Sequence, residues 1–153
     1  MDQRPLLERM EEVRTAMEEA FQDILPEREI CPGWTVRDVL AHITGWDQVA
    51  LKALQSFQMG GSPFLIEPLD IDGWNEKFVQ QRKDMSLEQV KEEFRQVRSA
   101  LVEQVRSLGT EALEQELVYP WGPEGTVREM VQVLIEHEAW HTHEIREMLE
   151  EGG

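Results

Sequence analysis

The sequence predicts an all-α fold, a four-helix bundle with short extra helices in its loops. Three observations predict it. Apolar residues recur at three-and-four spacing through four long stretches, the pattern of helices with one buried face. Thr35, Ser86 and Thr126 stand where N-caps belong, and Gln89 and Glu129 complete capping boxes three residues on. Between the stretches, Gly and Pro gather into turn-forming segments.

The first helix is expected over residues 4–24, on the ladder Leu6, Met10, Val13, Met17, Phe21 and Ile24, with Pro26 as its stop. After the loop PEREICPGW a second helix runs from Thr35 to about Met59, where Gly60 and Gly61 end it. Trp34 before the cap and Val39 inside form a candidate hydrophobic staple. A loop holding Pro63 and Pro68 precedes a short helix over residues 72–84, around Trp74 and Phe78. Ser86 opens a third long helix through Leu87, Val90, Phe94, Val97, Leu101 and Val105 to about Leu108. A helical turn over residues 111–117 and the loop VYPWGPEGT lead to the last helix, which begins at Thr126.

The bulk numbers set limits. A chain of 153 residues is expected to form one domain over residues 1–153, large enough for a real core. A net charge of −16 points away from nucleic acid and from anionic membranes, since both need clustered Lys and Arg. One cysteine, Cys31, rules out an internal disulfide framework and a Cys-rich zinc site. The opening residues mix acid with apolar positions and no apolar run approaches membrane length, so the expectation is a cytoplasmic protein with neither signal peptide nor transmembrane span.

The last helix carries the chemistry. His137 and His141 are four residues apart within its apolar stripe and point from one face. Two buried histidines satisfied by hydrogen bonds are one reading; an HxxxH metal pair is the other, and it needs a third donor. On the second helix His42 shares a stripe with Val39, Trp46, Val49 and Ala53, so it too faces inward. Burying three imidazoles unpaired costs stability, whereas three neutral histidines suit Zn²⁺, Ni²⁺ or Fe²⁺ and leave a position open for water or substrate. The segments TVRD (35–38) and TVRE (126–129) echo one another. If the helices they open start at the same end of the bundle, His42 and His137 differ in level by roughly 6 Å. His143, about 200° around the helix from His141, should face away.

Glu144 lies on the face of His137 and His141. It is a candidate fourth ligand, acceptor for a histidine N–H, catalytic base, or plain surface charge. Trp46 either walls the pocket or fills core. HEAWH also matches the HExxH of zinc peptidases, with Glu138 as base. Against that, Glu144 and Glu147 stand where the extended motif wants Gly and His, too few residues follow for a distant glutamate ligand, and no strand precedes the helix. Cys31 precedes the cap of the second helix while His42 lies two turns inside it, so it is not expected as a ligand and reads as a buried or loop thiol without function.

The segments PGWTVRDVLAHITGWD (32–47) and TVREMVQVLIEHEAWHTHEI (126–145), with the helix order between them, resemble the DinB/YfiT-like superfamily of metal-binding four-helix proteins. The resemblance covers nearly the whole chain. It implies a metal held by His42, His137 and His141. Many members have a Gly-Gln pair where this chain has His143 and Glu144, and some have a further His where it has Val133. Characterised relatives include transferases using low-molecular-weight thiols such as bacillithiol or mycothiol, a mycothiol-dependent maleylpyruvate isomerase, and protective hydrolases acting on small genotoxins. The resemblance does not imply DNA binding, and members commonly form homodimers.

The favoured function is therefore a divalent-metal enzyme that activates a thiol or water against a small electrophilic substrate. The alternatives are a binder that sequesters metal or a small ligand, and a metal-free helical interaction domain. A carboxylate-bearing thiol would need cations at the pocket mouth, where Arg37 and Arg128 are the nearest candidates.

Overall fold

A computed structural model describes residues 3–152; residues 1, 2 and 153 of the expected domain lie outside the described residues. The helices, in chain order, are α1 (Arg4–Phe21), α2 (Val36–Gln58), α3 (Ile71–Gln80), α4 (Leu87–Ser107), α5 (Thr110–Leu113) and α6 (Val127–Gly152). The caps act as their residue types dictate. Ser86 Oγ accepts the Gln89 N–H at 3.1 Å while Gln89 Oε1 accepts the Ser86 N–H at 2.8 Å. Thr126 Oγ1 accepts the Glu129 N–H at 3.1 Å, and the Asp38 carboxylate accepts the Thr35 N–H at 3.1 Å.

Two small antiparallel hairpins were not expected: β1 (Glu29–Cys31) with β2 (Trp34–Thr35), and β3 (Glu116–Val118) with β4 (Glu124–Thr126). Their strands are too short to show alternation, so the sequence reads as loop. The first turns at Gly33, whose φ of +84° is open to glycine at little cost. The second shortens the expected helical turn to α5, because residues from 116 onward pair with β4 instead. It also anchors α6, whose Val127 N–H donates to the Gln115 carbonyl at 3.0 Å.

The four long helices form a ring in which α1 lies beside α6 and α4, and α2 beside α4 and α6. Two apolar clusters fill it, one at each end. The first joins Leu6 and Met10 of α1, Ala53 and Leu54 of α2, Leu101 and Val105 of α4, and Val127 and Met130 of α6. The second joins Met17 and Phe21, Val36 and Val39, Val90 and Phe94, and Ile145. Thus α1 and α6 run one way and α2 and α4 the other. The starts of α2 and α6 lie at opposite ends, and the same-end arrangement considered for TVRD and TVRE is corrected. Because α2 and α4 run parallel, the chain between them must return along the bundle. Residues 59–86 do so, and α3 packs on α2 where Gly45 faces Phe78; a Cβ at Gly45 would overlap the ring.

Between the two apolar clusters lies a layer of four buried charges, one from each long helix: Arg14, Asp47, Arg98 and Glu138. Arg14 bonds Asp47 at 3.1 Å and both oxygens of Glu138 at 3.1 and 3.2 Å. Arg98 grips both oxygens of Asp47 at 3.0 and 3.1 Å and reaches Glu138 at 2.6 Å. Arg14 also lies 3.5 Å above the Phe94 ring and donates to the Phe94 carbonyl at 3.1 Å. Burial opposes the charge on Glu138, but Arg98 and Arg14 outweigh it and hold its carboxyl below the usual range.

Removing one member leaves the others uncompensated in a buried layer. Arg98→Ala is expected to lower stability by about 3–5 kcal/mol, against at most about 1 kcal/mol for Arg95→Ala, which breaks an exposed pair with Glu18. Urea denaturation of both variants checks the contrast; equal losses would contradict it.

Candidate metal centre

The site sits at the level of the charge layer, between α2 and α6. His42 Nε2 lies 3.2 Å from His137 Nε2, which lies 3.1 Å from His141 Nε2. The three expected histidines are therefore brought together. Two of them, His42 and His141, are buried, and His137 is half-buried. Antiparallel packing lets His42 meet both turns of the HxxxH pair. Trp34 tilts against the His42 ring with centroids 5.0 Å apart, and Trp140 meets the edge of His141 at 5.2 Å.

This arrangement leaves the imidazoles incompletely satisfied by one another. His137 Nε2 faces two other Nε2 atoms, and a single N–H there can donate to only one of them. Protonation does not relieve the conflict. Burial, then the neighbouring imidazoles, pushes His42 down to about 3, and burial, then His137, pushes His141 to about 4 despite the opposing field of Glu138. Burial lowers His137 as well, against Glu138 and Asp47. Neutral lone pairs turned toward one point are the donor set a divalent ion takes. Ligands about 2.0–2.1 Å from a tetrahedral ion lie about 3.3 Å apart, close to the spacing here. The buried Nδ1 atoms of His42 and His141 lack hydrogen-bond partners, although Glu144 Oε1 stands 3.5 Å from the latter as an electrostatic contact.

Other expectations divide. His143 faces outward and pairs with Glu147 at 2.9 Å. Glu144 lies on the Nδ1 side of His141, away from the three Nε2 atoms, and burial, then Glu147, raises its carboxyl. Trp46 walls a cavity of about 220 Å³ beside His42 and His137. Cys31 is not remote: its sulfur and donor atoms of His141 and Glu144 lie within 4.8 Å of one another. The hairpin containing Cys31 folds against α6, which its distance along α2 did not reveal. Arg37 and Arg128 are not at the mouth. Arg37 donates to the carbonyls of Lys83 and Met85, and Arg128 pairs with Glu114 at 2.7 Å. Glu138 faces Arg14 and Arg98, which disposes of it as an HExxH base.

The model of the DinB superfamily matches residues 6–145. The chain belongs to that superfamily. Its fold is similar to that of YfiT from Bacillus subtilis, a probable metal-dependent hydrolase with an unusual four-helix bundle topology. The TM-score is 0.78 at 17% identity, over 99% of this chain and 87% of that one. It is similar to a Streptococcus pneumoniae protein at TM-score 0.80 and 16% identity, over 98% and 91% of the two chains. It is also similar to ClbS, a colibactin self-resistance protein solved in complex with dsDNA, at TM-score 0.78 and 14% identity, over 94% and 93%. No curated protein matches the sequence. The ClbS complex overturns the exclusion of nucleic acid drawn from charge. Net acidity is a whole-surface sum, and a member of this fold engages a duplex all the same. Among the described residues, no helix is long and apolar enough to cross a membrane.

Two outcomes test the donor set. Elemental analysis after divalent-metal loading should find one ion per chain, lost in His137→Ala and kept in His143→Ala. In metal-free protein, stability should decline as pH falls below about 6.5, because the unfolded chain protonates His42 and His141 there while the folded chain does not. Unfolding midpoints at pH 7 and 5, with the His42 ring proton still at its neutral NMR shift at pH 5, check this; a charged His42 at pH 5 contradicts it.

Proposed function

We propose that the protein is a metal-dependent hydrolase acting on a small electrophile, with His42, His137 and His141 as the metal ligands. The observation that carries the proposal is the convergence of three neutral Nε2 atoms beside an open cavity. A bound divalent ion supplies Lewis acidity and brings the pKa of a ligating water toward about 7. Three protein ligands leave room for that water, as in catalytic rather than structural zinc sites. YfiT, a probable metal-dependent hydrolase of the same fold, supports the same reading.

The chain's own residues do the rest. His42 and His141 keep their lone pairs at neutral pH because burial holds them unprotonated. Glu144 Oε1, 3.5 Å from His141 Nδ1, is the group that would accept the Nδ1–H after a small side-chain shift, and it would then fix the tautomer and orientation of the ring. Water rather than a carboxylate-bearing thiol is the nucleophile we favour, because neither Arg37 nor Arg128 reaches the cavity.

Metal-loaded protein should hydrolyse members of a panel of small esters, lactones and amides. The rate should vanish with chelator, return on reloading, and fall to background in His137→Ala. Added low-molecular-weight thiol that yields thioester product, with the alcohol or amine released and no hydrolysis in its absence, would replace water by thiol; no turnover in either case would sink the enzyme reading. Glu144→Gln should weaken metal binding about 10–100-fold with stoichiometry kept, as read by competition with a chromogenic chelator.

A further inference from the structure

We infer that the cavity beside the imidazoles takes a small, ring-sized apolar group, uncharged when no metal is bound, and that Val133 and Ile71 set its entrance. The inference rests on the proposed function for what happens to the ligand, but its binding argument stands on the walls alone. Trp46, Trp121 and Leu134 line the space, with Asn75 and the edges of His42 and His137 as its polar points. None of the described residues lining it carries a formal charge when the imidazoles are neutral, in a chain whose net charge is −16. In the metal-free protein an ion entering would lose water and meet no counter-charge, a penalty a neutral molecule avoids.

Size narrows the class further. An engineered apolar cavity of about 150 Å³ holds benzene, and this one, which opens to solvent, measures about 220 Å³, room for one ring whose substituents point outward. The walls suit a ring. Trp46 and Trp121 meet edge-on with centroids 6.2 Å apart, and Trp46 is locked by its Nε1–H bond to Asn75 Oδ1 at 2.7 Å. Such walls are formed before a ligand arrives, so little ordering cost falls on binding.

The entrance is apolar too. Ile71 and Val133 line the cavity and are 43% and 48% exposed. Single exposed apolar side chains need no explanation, but these two line one opening beside the imidazoles. Val133 stands one helical turn before His137, so a larger or charged side chain there would stand between solvent and the imidazoles.

The test uses three probes sharing a benzyl group: benzyl alcohol, phenylacetate and benzylamine. Binding is followed by NMR shifts of the Trp46 and Trp121 indole N–H groups, in chelator-treated and metal-loaded protein. In chelator-treated protein, benzyl alcohol should bind saturably and at least ten-fold tighter than either charged probe. Val133→Phe should weaken it ten-fold or more, and Ile71→Asp should weaken it without improving phenylacetate. Charged probes binding as well in the metal-free protein, no saturable shift with any probe, or unchanged binding in both variants overturns the inference. Because these readings need no metal, failure of the metal site shows separately, as loss of stoichiometric metal with the probe preference intact.

Discussion

Four formal charges, one from each long helix, cancel one another in the middle of the bundle, and the placement of everything functional follows from that cancellation. Arg14, Asp47, Arg98 and Glu138 are held by bonds of 2.6 to 3.2 Å. Replacing such a layer by well-packed apolar residues is often neutral or stabilising, so its value here is not raw stability. Its value is register. Apolar helix faces tolerate sliding and repacking, but shifting one helix by a turn of about 5.4 Å would pull one charge out of the network and leave its buried partners underpaired. His137 precedes Glu138 by one residue and His42 precedes Asp47 by five. Whatever fixes the carboxylates along their helices fixes the imidazoles.

The same layer protects the electrostatics of the site. Asp47 and Glu138 lie near enough to His137 to raise its proton affinity, and Glu138 acts on His141 likewise. Two unpaired carboxylates there would favour imidazolium and spoil a neutral donor set. Arg14 and Arg98 neutralise them, burial then prevails, and the rings stay available as lone-pair donors. Structural pairing and ligand chemistry are thus one electrostatic arrangement, and the chain's excess negative charge resides outside it.

The four long helices, their caps and the inward direction of His42, His137 and His141 were legible, because periodicity and capping are local properties. The hairpins were not, since strands of two or three residues have no period to read. Helix direction was not legible either: TVRD and TVRE look like equivalent starts, yet the 59–86 segment carries the chain back and sets α2 against α6. The charge layer did leave a trace. Arg14 lies within the Met10–Met17 stripe, Asp47 between Ile43 and Ala50, Arg98 between Phe94 and Leu101, and Glu138 four residues after Leu134. Two positive and two negative residues at core positions on four helices is a pattern that pairs itself. It was hidden only because each stripe was read for its apolar members. Cys31 was misplaced for a related reason: distance along the chain says little where a hairpin folds back.

The glutamate of HEAWH shows how far a helical motif can be taken alone. On any helix, the residue after His137 is turned about 100° from it, so it borders the histidine face without belonging to it. Which way it serves is decided by the neighbouring helices. A neighbour that leaves water beside the ion would make that carboxylate a base, whereas here α1 and α4 present Arg14 and Arg98 to it. A carboxylate bonded to two guanidinium groups, with its proton affinity depressed, is a poor acceptor for a substrate proton. It cannot leave that role without exposing two buried cations. The spelling of a metallopeptidase therefore appears in a protein whose glutamate belongs to the frame, and any proton chemistry at the site would have to fall to other groups.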